Sequence, residues 1–314
     1  MLLLGIGTAM ADWREKPWTA FTTRLNADHP DVGKIWSVAD TRDITPDELI
    51  FRLAKSRNVL IGEIHDNPDH HRLQAWIIAQ LAARGRNPAV VMEMIGKDSS
   101  EILQAYLANP KRTPAGLGEA LKWAESGWPE WKFYQPIAEA AFAGNLSIKP
   151  GDAPRAELRG ITKDGPSAIP PETVKRLRLD HGLSPGLEKA LYDEIIAAHC
   201  NMLPEKAMPK FVFIQRLRDA HLAEAMEAPE NTGGAVLIAG AGHVRRDRAV
   251  PVYLQSSAAV VVLAEAHPGE PLSAAYGPED PAGKPAADYI WLTPGMERPD
   301  PCEEMRNAMA KKKT

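Results

Sequence analysis

The sequence has little cysteine, little net charge and no long apolar stretch, and each shortage excludes a class of protein. Its 314 residues contain two cysteines, Cys200 and Cys302, which are too few for a disulfide framework or a four-cysteine metal site. They can form one bridge or none. The formal net charge is −4, so no basic excess favours nucleic acid as a partner. No apolar run reaches 18 residues, so we expect no transmembrane span.

Several common catalytic motifs are also absent. The sequence has no Gly-x-Ser-x-Gly elbow, no phosphate-binding Gly-Lys-Ser/Thr loop and no His-Glu-x-x-His zinc motif. Gly240-Ala241-Gly242 follows an apolar run, but Arg245 occupies the third glycine position of the dinucleotide-binding motif. The common serine hydrolases, nucleotide hydrolases and dinucleotide-dependent enzymes are therefore not expected.

The N-terminus has features of an export signal. A short apolar stretch precedes Ala9-Met10-Ala11, which has the small-x-small form of a signal-peptidase site, although no basic segment comes before it. We interpret residues 1–11 as the remnant of a signal peptide and residues 12–314 as one exported or periplasmic domain. The alternative is an apolar tail on a cytoplasmic protein. No cysteine lies near the cleavage site, so a lipid anchor is not expected.

Short apolar runs predict the strands of a parallel sheet. Four are apolar on both faces: Asn58–Ile61, Ala89–Met92, Ala235–Ala239 and Ala259–Leu263. Strands of this kind are covered by helices on both sides. Since helical patterns alternate with them, we predict an α/β fold with a mainly parallel central sheet flanked by helices.

The long interval between the second and later strands predicts an insertion. Residues 99–230 are mostly helical in pattern, although a weaker apolar run occupies 146–149. This is too much chain for one crossover, so we expect a helical insertion over about 99–230, lying over one edge of the sheet. Proline-rich residues 267–285 and 294–301 predict an irregular C-terminal wrap.

Acids and histidines follow the predicted strands. Glu63 and His65 come after the first, Glu93 after the second, and His243 after the run that begins at Ala235. In open α/β sheets ligands bind at the carboxyl ends of the strands, so these side chains are expected to converge. Two imidazoles and two carboxylates suit zinc or non-haem iron. The alternative for each histidine is a hydrogen-bonded structural role.

Aromatic residues are concentrated in one segment. Residues 123–134 hold five of the 20 aromatic side chains, ending at Phe133 and Tyr134. They can line a flat ligand pocket or pack inserted helices against the sheet, and their spacing favours packing. His70 and His71, which open a predicted helix, belong to the site or are solvated.

Longer stretches resemble a known family. Residues 59–71, which include Gly62-Glu63-Ile64-His65, resemble the opening motif of the ChaN-like haem-binding uptake proteins. These belong to one superfamily with the Tiki, TraB and erythromycin-esterase proteins. Further similarity lies in 91–94, Gln215-x-x-x-Asp219, 238–245, 287–291 and 300–303. The similar segments keep their order along nearly the whole chain.

The resemblance implies a ChaN- and erythromycin-esterase-like fold and an exported haem- or iron-binding protein of an uptake system. In that family haem is held in a dimer by a tyrosine, so a homodimer is expected and Tyr134 is a candidate ligand. His243, Arg245 and Arg246 are candidate haem-binding partners, with the two arginines meeting the propionates.

Two alternatives stay open. One is a metal-dependent hydrolase of the esterase or protease type, with Glu63, His65, Glu93 and His243 as metal ligands or catalytic groups. The other is a structural or partner-binding protein without catalysis. The sequence does not decide whether the protein is an enzyme.

Overall fold

An eight-stranded sheet forms the centre of the molecule. The computed structural model describes residues 16–276 and 285–311, with side chains described to residue 307. The strands are β1 (Ile35–Ser37), β2 (Arg42–Ile44), β3 (Asn58–Glu63), β4 (Ala89–Gly96), β5 (Ile148–Asp152), β6 (Ala235–Gly240), β7 (Ala258–Glu265) and β8 (Tyr289–Thr293). Their order in the sheet is β2-β1-β8-β7-β3-β6-β4-β5. The pairs from β8 to β5 are parallel, whereas β1 pairs antiparallel with β8 and with β2.

Helices cover the sheet and connect its strands. They are α1 (Pro46–Leu53), α2 (Pro68–Ala83), α3 (Ser100–Ala108), α4 (Pro114–Ala120), α5 (Trp131–Ala143), α6 (Arg155–Asp164), α7 (Pro171–Arg176), α8 (Pro185–Ala198), α9 (Met208–Met226), α10 (Val250–Tyr253) and α11 (Pro301–Lys311). Side-chain caps begin several of them. Thr45 Oγ1 accepts from the backbone N–H of Glu48 at α1, and Asn67 Oδ1 accepts from that of Asp69 at α2.

Two hydrophobic cores lie on opposite faces of the sheet. Val59 and Ile61 of β3 point into the core under α1, α2 and α5, while Leu60 points into the core under α9. Successive strand side chains alternate between faces, so a strand buried on both must be apolar throughout. This confirms the predicted α/β fold with a mainly parallel sheet.

The predicted insertion interval holds α3 to α9, and β5 runs through it. The weak run at 146–149 corresponds to β5, which extends the sheet beyond β4 as an edge strand. Helices α4 and α5 pack together near α2, whereas α6 and α9 pack together and α9 contacts β5. The interval therefore covers both faces near this edge of the sheet.

Some predictions concern the ends of the chain. The predicted signal segment, residues 1–11, lies outside the described residues. A disulfide joins Cys200, after α8, to Cys302, at the start of α11, which resolves the pairing that the sequence left open. Within the described residues, no helix is both long and apolar enough to cross a membrane.

Candidate functional site

The carboxyl ends of β3, β4 and β6 carry a cluster of buried charged side chains. Glu63 is the last residue of β3 and pairs in register with Gly240, the last residue of β6. Glu93 lies in β4, and His243 lies in the 3-10 turn that follows β6. The structure brings these residues and His65 to one edge of the sheet. They form two histidine–carboxylate pairs.

The first pair consists of Glu63 and His65. Glu63 Oε1 lies 2.9 Å from His65 Nδ1 and accepts from the Tyr134 hydroxyl at 3.1 Å. Its other oxygen accepts from Gln74 Nε2 at 2.7 Å and lies 3.2 Å from His71 Nδ1. Burial favours the neutral acid, but the His71 and His65 rings hold the pKa of Glu63 below its usual value. Glu63 is therefore a carboxylate fixed by four groups.

This arrangement leaves the other nitrogen of His65 available. With Nδ1 engaged by Glu63, the Nε2 atom has no hydrogen-bond partner among the described residues. The side chain is 35% exposed, and its ring lies edge-on to Trp128 at 4.9 Å between centroids. Burial favours the neutral ring, but the hydrogen bond to Glu63 and the charge of Glu93 raise the pKa of His65. When neutral, the ring presents Nε2 as a base or ligand.

The second pair consists of His243 and Asp219, with Glu93 on the other side of the ring. His243 Nδ1 lies 2.6 Å from Asp219 Oδ1, and Nε2 lies 3.3 Å from Glu93 Oε1. Burial favours neutral imidazole, but the two carboxylates raise the pKa of His243 to about 10. Burial raises the pKa of Asp219 to about 6, against the influence of His243. At neutral pH, His243 is thus a buried imidazolium between two carboxylates.

Glu93 links this pair to the backbone of β6 and to a buried arginine. Its Oε2 accepts from the backbone N–H of Gly240 at 2.7 Å, and its Oε1 accepts from Arg218 at 2.7 Å. Arg218 also donates two bonds to Asp152, at the end of β5. Burial favours the neutral acid, but His243 and Arg218 hold the pKa of Glu93 well below its usual value. Its charge is therefore compensated on several sides.

Gly240 is where the two pairs meet. A Cβ atom at this position would lie 2.9 Å from His65 Nε2 and 3.7 Å from Glu93 Oε2. Glycine therefore lets the β6 backbone and the His65 imidazole approach this closely. His65 Nε2 thus lies against the β6 backbone, with the Glu93 carboxylate nearby.

The metal-ligand prediction receives no support from this geometry. Among residues 16–276 and 285–307, no group of three or more His, Cys, Asp or Glu side chains is arranged to hold a metal ion. Glu63, His65, Glu93 and His243 instead engage one another in pairs, and Glu93 and Glu63 each accept from further donors.

A cleft of about 460 Å³ adjoins this cluster. Its walls include apolar side chains from β4, α3, the end of α4, the aromatic segment and α6: Met94, Ile95, Ile102, Leu121, Trp123, Trp128 and Leu158. Trp128 contacts His65, and Asp152, which holds Arg218, also lines the cleft. Lys122 and Arg155 are exposed at its rim, and no side-chain partner is seen for either within the described residues.

Part of this lining suits haem as a ligand, whereas the carboxylates of Asp98, Glu125 and Asp152 in the same cleft do not. Cofactor pockets are mostly apolar clefts of about 300–1,000 Å³, and haem presents a flat apolar ring with two propionates. The indole of Trp128 and the apolar walls suit the ring. The ammonium of Lys122 and the guanidinium of Arg155 suit the carboxylates.

The predicted haem partners Tyr134, His243, Arg245 and Arg246 do not line this cleft. Tyr134 is fully buried, and its hydroxyl donates to Glu63 and to the carbonyl of His65. Burial and the charge of Glu63 raise the pKa of Tyr134. Arg245 is buried and pairs with Asp247. A tyrosine ligand would therefore require this network to rearrange.

Two other predicted residues also have structural partners. Arg246 pairs with Asp288. The alternative of a solvated His70 is wrong, because the ring is fully buried and bonds to Thr293 Oγ1 and to the backbone of Ile64. His71 is also fully buried, and its Nε2 donates to the carbonyl of His65.

Sequence reasoning missed the role of Arg218. It lies on α9 between Gln215 and Asp219. Both of these residues contact the His243 ring directly. Positions i, i+3 and i+4 share one face of a helix, so the spacing of these three polar residues was the available signal.

The fold and site define a three-layer α/β protein with paired histidines and carboxylates at the carboxyl edge of a parallel sheet. Residues 49–254 match the family model described as haem-binding uptake, Tiki superfamily, ChaN. The chain belongs to this family. No curated protein sequence matches the chain.

Several solved structures are similar to the chain, and the first described below shares its fold. A structure titled for cofacial haem binding to ChaN of Campylobacter jejuni is 20% identical, with a TM-score of 0.61 over 82% of this chain and 95% of that one. The type III effector HopBA1 is 12% identical, with a TM-score of 0.41 over 85% and 99%. A mutant of erythromycin esterase EreC is 13% identical, with a TM-score of 0.40 over 82% and 95%. At these identities the similarity concerns the fold alone.

Proposed function

We propose that this protein binds haem in the cleft beside His65 and acts in haem or iron uptake. The observation that carries the proposal is the aromatic cleft itself, whose Trp128 contacts His65. At its rim lie two cations, Lys122 and Arg155, for which no side-chain partner is seen among the described residues. Family membership supports the same ligand. Apolar walls and rim cations are what a flat dicarboxylate requires.

His65 is the side chain best placed to ligate the iron. Glu63 accepts the Nδ1 proton, so the lone pair of the neutral ring lies on Nε2, and the ring contacts Trp128 of the cleft wall. A carboxylate behind a ligating histidine fixes its tautomer and increases its basicity. Bound haem would supply the iron, and this chain would orient the ring and compensate the propionates.

Haem titration of the full chain tests this proposal. We expect ferric haem to bind saturably at micromolar concentration, with a shifted Soret band. His65→Ala should weaken binding about tenfold or more and change the spectrum. His181→Ala is the matched control, because His181 is exposed on the surface. Absence of saturable binding by the wild type would contradict haem binding. An unchanged spectrum of the H65A variant would contradict the assignment of His65 as the iron ligand.

Export is part of the proposed role. The Cys200–Cys302 disulfide is typical of proteins that mature in an oxidising compartment. The Ala9-Met10-Ala11 sequence suits cleavage before Asp12. N-terminal sequencing of protein from a periplasmic fraction should begin near Asp12, and an intact leader on cytosolic protein would contradict export.

A homodimer is a further part of the proposal. The cleft is open on one side, so haem lying in it would leave an apolar face exposed, and a second copy would cover that face. Light scattering with and without haem should show a haem-dependent increase to twice the monomer mass. A monomer under both conditions would contradict dimerisation.

A hydrolase is the second candidate function, and the geometry at Gly240 favours it. His65 Nε2 lies close to Gly240 and Glu93, and its lone pair in the neutral ring suits a general base that removes a proton from water. Arg218 and the His243 imidazolium lie behind Glu93 as nearby positive charges. Hydrolysis of a panel of esters by wild type but not by H65A would support it, and elemental analysis of the same preparation would detect a bound metal.

A further inference from the structure

The helical hairpin formed by α8 and the first half of α9 has a small core of its own. Leu191 and Ile195 of α8 pack against Met208 and Val212 of α9, separately from the two cores on the faces of the sheet. A unit that buries its own apolar cluster can open without exposing the rest of the protein. From Phe213 onward α9 packs against the core on the sheet, so we define residues 185–212 as the α8–α9 hairpin.

This hairpin covers the buried Asp219–His243 pair. A cavity of about 130 Å³ lies between α8 and the turn after β6, and its walls include Glu194 and Ile195 on one side and Asp219 and Gly242 on the other. Asp219 is only 1% exposed. Movement of α8 away from this cavity would therefore give water access to the carboxylate that holds His243.

Two cross-links hold the hairpin in place. Glu194 of α8 forms an ion pair with Arg248, in the segment after β6. Arg248 is only 7% exposed, and its Nε has no hydrogen-bond partner within the described structure. The second link is covalent: Cys200, directly after α8, is bonded to Cys302, which lies 102 residues further along the chain.

The covalent link is open to a change of redox state. Cys200 and Cys302 are both partly exposed, and the α11 side chains from Pro301 to Asn307 are exposed or partly exposed. A reductant can therefore approach the sulfur atoms without unfolding the sheet. The bond anchors the turn between the two hairpin helices, so its loss frees the hairpin at that turn.

We propose that Cys200–Cys302 is a redox-controlled latch on the α8–α9 hairpin. A dithiol reductant attacks one sulfur through its thiolate, and the resulting mixed disulfide is resolved by its second thiol. Two electrons and two protons pass to this chain, which gains two thiols, and the reductant becomes the disulfide. In the oxidised protein the hairpin covers Asp219 and His243, and in the reduced protein it opens.

Hydrogen exchange of the full chain in both redox states tests the latch. After treatment with dithiothreitol, amides of α8 and of residues 208–212 should exchange about tenfold faster, while β3 and β4 keep their protection. The Cys200→Ser/Cys302→Ser variant should exchange like the reduced protein and should not respond to dithiothreitol.

Methionine oxidation provides a side-chain measurement in the double-serine variant. Met208 belongs to the hairpin core, whereas Met226 is equally buried in the core on the sheet and serves as the internal control. Peroxide should convert Met208 to the sulfoxide about tenfold faster in the variant than in the wild type, with Met226 unchanged.

Two results would overturn the proposal. If reduction increases exchange only in residues 301–311, the bond anchors α11 and does not control the hairpin. If β3 and β4 lose protection together with the hairpin, the bond stabilises the whole fold and is not a local latch. The oxidised and reduced states of the wild type are compared without any substitution. A folding defect of the double-serine variant therefore does not affect this result.

Discussion

Asp219 Oδ1 lies 2.6 Å from His243 Nδ1, and both side chains are withdrawn from solvent. Glu93 lies on the opposite edge of the same ring. An imidazolium has an N–H for each of the two carboxylates and compensates their charge. A neutral ring has only one N–H and would leave two buried negative charges without a cation between them. The protonation of His243 is therefore coupled to the stability of the fold.

The first prediction is that stability falls at alkaline pH because of His243. Its pKa is about 10 in the folded state, against about 6.5 when unfolded, so the folded protein binds more protons between these values. Its contribution is complete below pH 6.5 and is lost as pH rises through about 10. The free energy of unfolding should fall by up to about 1.4 kcal/mol per pH unit across this window.

Urea denaturation from pH 7 to 10 measures this slope. His243→Gln should reduce the slope, although the variant is less stable at pH 7 because Asp219 loses its partner. His65 and His71, whose pKa values are also raised, contribute slopes of the same sign, so the difference between variant and wild type is the quantity of interest. His181→Gln serves as the exposed control. Equal slopes in all three proteins would contradict the assignment.

The second prediction concerns Tyr134. Its ring is buried and its hydroxyl donates to Glu63. Tyr134→Phe keeps the ring and removes this hydrogen bond, so we expect a loss of about 1–3 kcal/mol in the free energy of unfolding. Haem affinity and the Soret maximum should change little, because the phenol oxygen lies behind Glu63 and not in the cleft.

Tyr192→Phe is the matched control for this variant, since no hydrogen bond of the Tyr192 hydroxyl is seen within the described structure. It should leave both stability and haem binding unchanged. If Tyr134→Phe instead abolishes the haem spectrum while the protein stays folded, Tyr134 is the iron ligand, and its network rearranges on binding.

The central sheet could be predicted because its strands are buried on both faces. Runs such as 58–61 and 235–239 are apolar at every position, which is typical of parallel strands. By contrast, β1 and β2 contain three residues each and lie at the edge, and Arg42 and Asp43 are exposed. Runs this short carry no strand pattern, so only the pairing of β1 with β8 and of β2 with β1 defines them.

The site could be predicted in part, for a similar reason. Parallel strands end at one edge, so Glu63, Glu93 and His243 could be placed together from their positions after strands. Arg218 reaches Glu93 only because α9 packs across the end of β5. This contact depends on tertiary packing, which strand-end positions do not indicate. The orientation of Tyr134 likewise depends on how α5 packs on α2.

The third prediction concerns the rim of the cleft. If Lys122 and Arg155 compensate the propionates, Lys122→Ala/Arg155→Ala should weaken haem binding about tenfold, and the loss should shrink at high salt. Lys206→Ala/Arg159→Ala removes the same charges from exposed positions that do not line the cleft. Equal affinities for the two double variants in haem titrations would show that these rim charges do not contact the ligand.

The last prediction concerns Gly240. An alanine methyl group there would lie 2.9 Å from His65 Nε2, closer than packed atoms approach, so the imidazole or the β6 backbone must move. Because Nε2 is the proposed ligand or base, Gly240→Ala should weaken haem binding about tenfold and alter the Soret band, at a stability cost of about 1–3 kcal/mol. Gly182→Ala is the control, since a Cβ there meets no atom within 4 Å. Haem titration and urea denaturation of both variants measure the two effects separately. A Gly240→Ala protein that is destabilised but binds haem with the wild-type spectrum would show that Nε2 does not take part in binding.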